Sequence, residues 1–331
     1  MGRKGNIAGT VLRGLGLAAL VGLMGCEQSL PVDPMPAPPS RPDRLFEPMP
    51  AMPAPILAPD QVDADSAALR IHYQRLQNDL LAQGLLRTDG GGPDTPFTDT
   101  MLARNFVRIA LFDEYVADGG GFRAQPTISN LRRWERPIRM DITFGDSIPE
   151  AQRVADTDSV RAYADRLARL TGLSITPTSN NANFNVLILN ENDRRGYEAQ
   201  LRALVPNMDA STMRAIIDLP RDTLCLVVAF SEGGDASYSR AIALIRGEHP
   251  DLMRLACIHE EIAQGLGLAN DSPQARPSIF NDDEEFGLLT THDEMLLKML
   301  YDPRLKNGMT AAEAAPIARV IARELMAEGA S

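Results

Sequence analysis

Histidine and cysteine are scarce in this chain: four and three of 331 residues, with a single tryptophan and an aromatic share of 5%. So few cysteines exclude a small disulfide-stapled scaffold, and so few histidines leave little imidazole for metal binding. Positive charge is also short, with 33 Lys and Arg against 44 Asp and Glu, a net charge of -11 and no basic run. A general nucleic-acid binder needs clustered cations to neutralise phosphates, so that class is excluded. Long apolar runs are missing too. The longest, Leu15 to Met24, is too short to span a bilayer comfortably. What remains is a 44% hydrophobic chain, enough for one sizeable core or two smaller ones.

The first 25 residues carry Arg3, Lys4 and Arg13 and no acid ahead of that run, the pattern of a signal peptide. It ends Leu23-Met24-Gly25-Cys26, which resembles the bacterial lipobox. The resemblance implies cleavage before Cys26, acylation of its thiol and anchorage in a lipid bilayer. Glu27 at the next position points in that family to the outer membrane, with the protein on its periplasmic side. The mature net charge becomes -14 once the three leader bases are gone. Eleven prolines between Pro31 and Pro59 leave residues 26–59 too poor in apolar period to fold. They form a tether that in extended form reaches ~90 Å. Residues 60–331 are the folded part, a helical stretch 60–135 followed by a core 136–331.

An oxidising compartment makes the two remaining cysteines, Cys225 and Cys257, a disulfide in preference to a metal pair or two separate thiols. Leu69, Tyr73, Leu76 and Leu80 predict a helix behind Asp65 and Ser66, and Leu102, Phe106, Ile109 and Leu111 another behind Thr98. Glycine triplets at Gly90–Gly92 and Gly119–Gly121 read as loops. Ile138, Met140, Ile142 and Phe144 alternate as a strand does, and Val160 to Leu170 follow a helical period up to Gly172. Phe184–Leu189, Leu224–Phe230 and Arg240–Ile245 predict three more strands, with a helix from Asp193 to Val205 and the last strand at the sheet edge. Pro250 opens an amphipathic site helix that runs through Leu255, Ile258 and Ile262 to Gly267. Thr290 with Asp293, and Thr310 with Glu313, are capping-box pairs for two further helices. The expectation is an α+β domain with a mixed sheet of about four strands.

The stretch Glu260 to Asp271 can be laid on the HExxHxxGxxH motif in one register. Glu260 takes the first ligand position, Glu261 that of the general base, Gln264 the second ligand, Gly267 the turn glycine and Asn270 the third ligand. Asp271 follows. Starting from His259 instead would put Ala263 and Leu266 on the second ligand and the glycine. Ligands at i and i+4 share one helix face, and a glycine turn brings the third back. Ser278-Ile279-Phe280 occupies the place of the turn beneath the metal, with Phe280 for methionine, and Leu289 to Tyr301 follows like the last helix.

With these motifs the domain resembles a degenerate metzincin-type zincin, a zinc-metallopeptidase fold, over Arg139 to Tyr301. It is also similar to an uncharacterised family of bacterial lipoproteins with an EExxQ-x-LGL-x-ND signature followed by SIFND and LYDPRL. The first resemblance implies a cleft lined by Glu260, Glu261, Gln264, Asn270 and Asp271, with His259 beside it as a buried or capping residue. His249 and His292 are expected at the surface, and Asp282 to Glu285 as a solvated acidic loop. One carboxylate and two amides in place of imidazoles suit calcium, magnesium or manganese better than zinc. No cofactor is certain; a divalent cation is the only candidate. The expected function is binding of a peptide or envelope protein without zinc catalysis, by strand addition along Arg240–Ile245. The alternatives are a metal-dependent hydrolase with Glu261 as base, and a structural envelope protein with no cleft.

Overall fold

A computed structural model describes residues 63–118, 121–232, 236–281 and 283–328. The expected signal peptide, Cys26 and the expected proline-rich tether lie outside the described residues, as do Gly119, Gly120 and Asp282. The chain begins with α1 (Ala64–Ala82), capped by Asp63, whose carboxylate accepts the Ser66 amide at 2.8 Å. The cap therefore sits two residues before the Asp65 expected from the pattern. Next, α2 (Asp99–Ala110) is capped by Thr98 and buries Leu102, Phe106 and Ile109. An antiparallel hairpin follows, β1 (Phe112–Asp118) with β2 (Gly121–Ile128). Gly121, read as part of a loop, is the first residue of β2, and no clear alternation announced the two strands. Its ladder breaks between Asp113 and Tyr115, opposite Gln125 and Pro126. Proline donates nothing to a ladder and belongs at such a bulge.

Then come β3 (Ile138–Phe144), α3 (Glu150–Thr171), which stops at the left-handed Gly172, the short β4 (Ile175–Pro177) and β5 (Phe184–Leu189). The single helix expected over Asp193–Val205 is two, α4 (Glu191–Arg195) and α5 (Glu198–Leu204), parted at Gly196. A further helix, α6 (Ala210–Ile217), is capped by Asp209. The last strands are β6 (Cys225–Ser231) and β7 (Tyr238–Arg246), followed by α7 (Asp251–Gln264), α8 (Thr291–Leu300) and α9 (Ala311–Glu328).

The protein is α+β, built on a mixed five-stranded sheet in the order β4-β3-β5-β7-β6. All neighbours are parallel except β6, which runs antiparallel to β7. The expected edge strand is thus central: β7 lies between β5 and β6, and from Ala241 to Arg246 every residue is buried. A continuous apolar run marks a strand covered on both faces, and that signal outweighs its late place in the chain. The exposed edge belongs to β6, whose residues Val227 to Phe230 are only half-buried.

Alternate residues of the sheet feed two cores. Val186, Ile188, Ala243 and Ile245 face the larger one, packed with Tyr163, Leu167, Ile258, Ile262, Leu297 and Leu300. Leu187, Leu189, Ile242 and Leu244 face a smaller one under α5 and α6. The period of two along each strand divides the sheet this way. His249 and His292, expected at the surface, are buried. The His249 ring meets Tyr73 edge-on at 4.4 Å, and His292 Nε2 lies 3.1 Å from the Asn105 amide. Both rings stand at helix starts that pack against another helix, which a single-helix pattern does not reveal.

Candidate functional site

The site helix α7 divides its faces by chemistry. Cys257, Ile258 and Ile262 turn to the core, and Cys257 is joined to Cys225 of β6 by a disulfide with Cα atoms 5.9 Å apart. That bond pins the helix to the sheet edge. Across a cavity of about 490 Å3 from the β6 residues Cys225 to Ala229 stand Glu260, Glu261 and Gln264, with Asp271, Asn281, Glu284 and Glu114 completing the wall.

The chain after α7 is held in its bend from behind. Gly267 has φ +127°, and a Cβ there would sit 2.3 Å from the Arg132 carbonyl oxygen. Only glycine fits, as the motif expected. Trp134 Nε1 donates to the Gly265 carbonyl at 2.9 Å and the Tyr301 hydroxyl to that of Leu266 at 2.8 Å. Farther on, the Asp293 carboxylate gathers Ser278 Oγ at 2.5 Å, the Ile279 amide at 3.0 Å and Thr290, closing the capping box of α8. Phe280 is fully buried in the main core.

Four of the expected site residues therefore meet: Glu260, Glu261, Gln264 and Asp271 share one cavity, and the Gln264 amide donates to Asp271 Oδ1 at 3.0 Å. Asn270 does not join them. Its side-chain amide donates to the carbonyls of Arg108 and Asp271, at 2.8 and 2.7 Å, and ties the bend to α2. His259 also turns elsewhere. Its ring stacks on Tyr163 at 4.0 Å, and its Nδ1 accepts the Leu289 amide at 3.1 Å. Burial lowers its pKa to about 3, so the ring is neutral at physiological pH.

Sequence reasoning missed Glu114, Tyr115 and Asn281 as cavity residues. Glu114 stands where the hairpin ladder breaks, and nothing in its neighbours advertises that. Glu284 belongs to the acidic run taken as solvated, yet its backbone is anchored by the Leu86 amide at 2.8 Å.

Charge dominates the cavity. Among the described residues its one lining cation, Arg132, is ion-paired with Asp113. Desolvation holds the Glu260 carboxyl well above the usual carboxylate range, and Asp271, Glu261, Glu284 and Glu114 push the same way. Desolvation does the same to Glu261, helped by Glu114 and Asp271. Burial, with Glu114 next, raises the Tyr115 hydroxyl. Glu261 Oε2 is buried with no hydrogen-bond partner, in a residue only 4% exposed. Such an arrangement asks for a proton or a cation.

A tetrahedral zinc centre does not fit these residues. Among the described residues no histidine lines the cavity, the Cys225 sulfur beside Glu260 and Glu261 is spent in the disulfide, and Asn270 is not part of the lining. Oxygen ligands alone suit a hard cation.

The raised carboxyls fix a sign. The folded state holds protons that the unfolded chain releases above about pH 4.5, so this pair makes stability fall as pH rises from there toward the folded-state values. His249 and His259, both depressed by burial, act oppositely, and their contribution is lost as pH falls below about 6.5. The double variant Glu260→Gln/Glu261→Gln is expected to be about 2 kcal/mol more stable than the native chain at pH 8, ~6 °C in melting temperature. Near pH 4.5 the gain should vanish. Melting scans at the two values check it, and an equal gain at both would refute the electrostatic origin.

Residues 99–320 match a family described as a protein of unknown function (DUF2927). No curated protein and no solved structure matches the chain.

Proposed function

The chain belongs to the DUF2927 family, and we propose that its domain is a zincin-like scaffold that binds an extended, cation-bearing peptide and performs no zinc catalysis. The observation that carries this reading is the position of the acidic cavity along the outer edge of β6. Among the described residues that edge has no strand neighbour, so its backbone groups can accept an added strand. Glu260, Glu261 and Asp271 would then receive a Lys or Arg side chain projecting from the peptide. Support for the scaffold comes from the order of β3, a crossing helix, further strands and α7, together with the glycine bend and the Ser278-Ile279-Phe280 turn. The resemblance of Leu23-Met24-Gly25-Cys26 to a lipobox supports a domain on the periplasmic side of the outer membrane, which acylated Cys26 would hold to the bilayer and the tether would let reach an envelope protein. No helix of the described residues is long and apolar enough to cross a membrane, and a lipid-anchored protein needs none.

Calorimetry with a seven-residue extended peptide tests this. A central Lys should bind at least tenfold more tightly than norleucine, Glu260→Gln/Glu261→Gln should abolish that preference, and methylating alternate peptide amides should remove binding by blocking the ladder. Equal affinity for Lys and norleucine would defeat the proposal.

The unpartnered Glu261 Oε2 favours a second reading, a hard divalent cation such as calcium held by the same carboxylates, with Glu261 as the base of a hydrolase. Cleavage of the peptide by the native protein in calcium, and not by Glu261→Gln, would establish it over the first.

A further inference from the structure

A second groove, of opposite charge, is lined by α2 and α9. It has a volume of about 620 Å3 and runs between α2 and α9. Arg104 and Arg108 project from α2, and Arg319 and Arg323 from α9, each pair one helical turn apart. Like charges at this spacing oppose each other, and here two such pairs face across one groove. None of the four forms an ion pair among the described residues. The single acid in the lining, Asp99, is occupied by Thr100, whose amide and hydroxyl donate to it at 2.6 and 3.2 Å. Arg323 Nε donates to the Arg319 carbonyl at 3.3 Å, and in a chain of net charge -11 this concentration of guanidinium without a carboxylate partner among the described residues is unusual. The floor between them is apolar, made by Val107, Phe112 and Ala315 with Ala103 beneath.

We propose that this groove binds the phosphate headgroup of an anionic lipid. Guanidinium forks match phosphate oxygens in pairs, and the apolar floor takes the first methylenes of an acyl chain, which a free phosphate would leave bare to water. Of phosphate-bearing ligands, a lipid is thus the one that uses both features. The site is independent of the acidic cavity and of the function proposed for it.

Titration of the full chain with dihexanoylphosphatidylglycerol below its micellar concentration tests the assignment, with dihexanoylphosphatidylcholine, inorganic phosphate and hexaglutamate as comparators. The phosphatidylglycerol should bind at least tenfold more tightly than each comparator, and the variant Arg104→Gln/Arg319→Gln/Arg323→Gln should lose at least tenfold of that affinity. These three residues are exposed, so the variant should melt no lower than the native protein. Equal binding of the lipid to native and variant chains would overturn the proposal, because the lipid would then bind elsewhere on the chain. Phosphate binding as tight as lipid binding would overturn the lipid assignment, and tighter hexaglutamate would make the groove a protein-docking site instead.

Discussion

Gly267→Ala should cost about 4 kcal/mol of stability. Two causes act together. At φ +127° a side chain is strained wherever it points, at ~1–3 kcal/mol. The added Cβ would also meet the Arg132 carbonyl oxygen at 2.3 Å and Leu300 Cδ2 at 3.2 Å. Overpacking of that kind costs about 1–3 kcal/mol. The neighbours cannot yield easily, because Trp134 and Tyr301 tie the carbonyls on either side of Leu266 to the core. Gly172→Ala is the matched control: φ is +73° and nothing lies within 4 Å, so only conformational strain applies, about 1 kcal/mol. Urea unfolding of both variants measures the difference. Equal losses would mean that the close approach behind the bend does not matter.

Asp293→Ala should be comparably damaging, again about 4 kcal/mol. The carboxylate is completely buried and accepts from Ser278 Oγ, the Ile279 amide, the Thr290 amide and Thr290 Oγ1. Each buried donor left without a partner costs about 1–3 kcal/mol, and the donors here share one site, so the sum is less than additive. One side chain thus joins the turn that ends in Phe280 to the start of α8. Asp293→Asn keeps one accepting oxygen and should lose about half as much. Thermal melting of both variants decides the matter, and a loss under 1 kcal/mol for Asp293→Ala would show that Thr290 alone caps the helix.

Local signals were legible in the sequence. The alternation of Ile138 to Phe144, the apolar face of α7, the stop at Gly172 and the Thr290–Asp293 box each rest on neighbours within a few residues, and each stands in the fold. The Cys225–Cys257 bond was expected from the number of cysteines and the compartment that the lipobox resemblance implies, and it is present. Order within the sheet was not legible, because the partner of β7 is chosen by tertiary packing; its fully buried run from Ala241 was the overlooked signal. Three residues are too few to give β4 a period. In the site, spacing on one helix grouped Glu260, Glu261 and Gln264, and the three line one cavity. It could not tell that Asp271 rather than Asn270 faces the cavity, since that depends on how the bend docks on α2. Glu114 and Glu284 come from loops and bulges distant in sequence, whose convergence only the folded chain displays.

The acidic cavity has meaning as a peptide site only if the strand beside it accepts a partner. Amide hydrogen exchange of the full chain, with and without the Lys-bearing peptide, reads this directly. Exchange should slow across Cys225–Ser231 and stay unchanged in Ile175–Pro177, the opposite edge of the same sheet. Binding without protection of Cys225–Ser231, or protection at the opposite edge, would contradict the account.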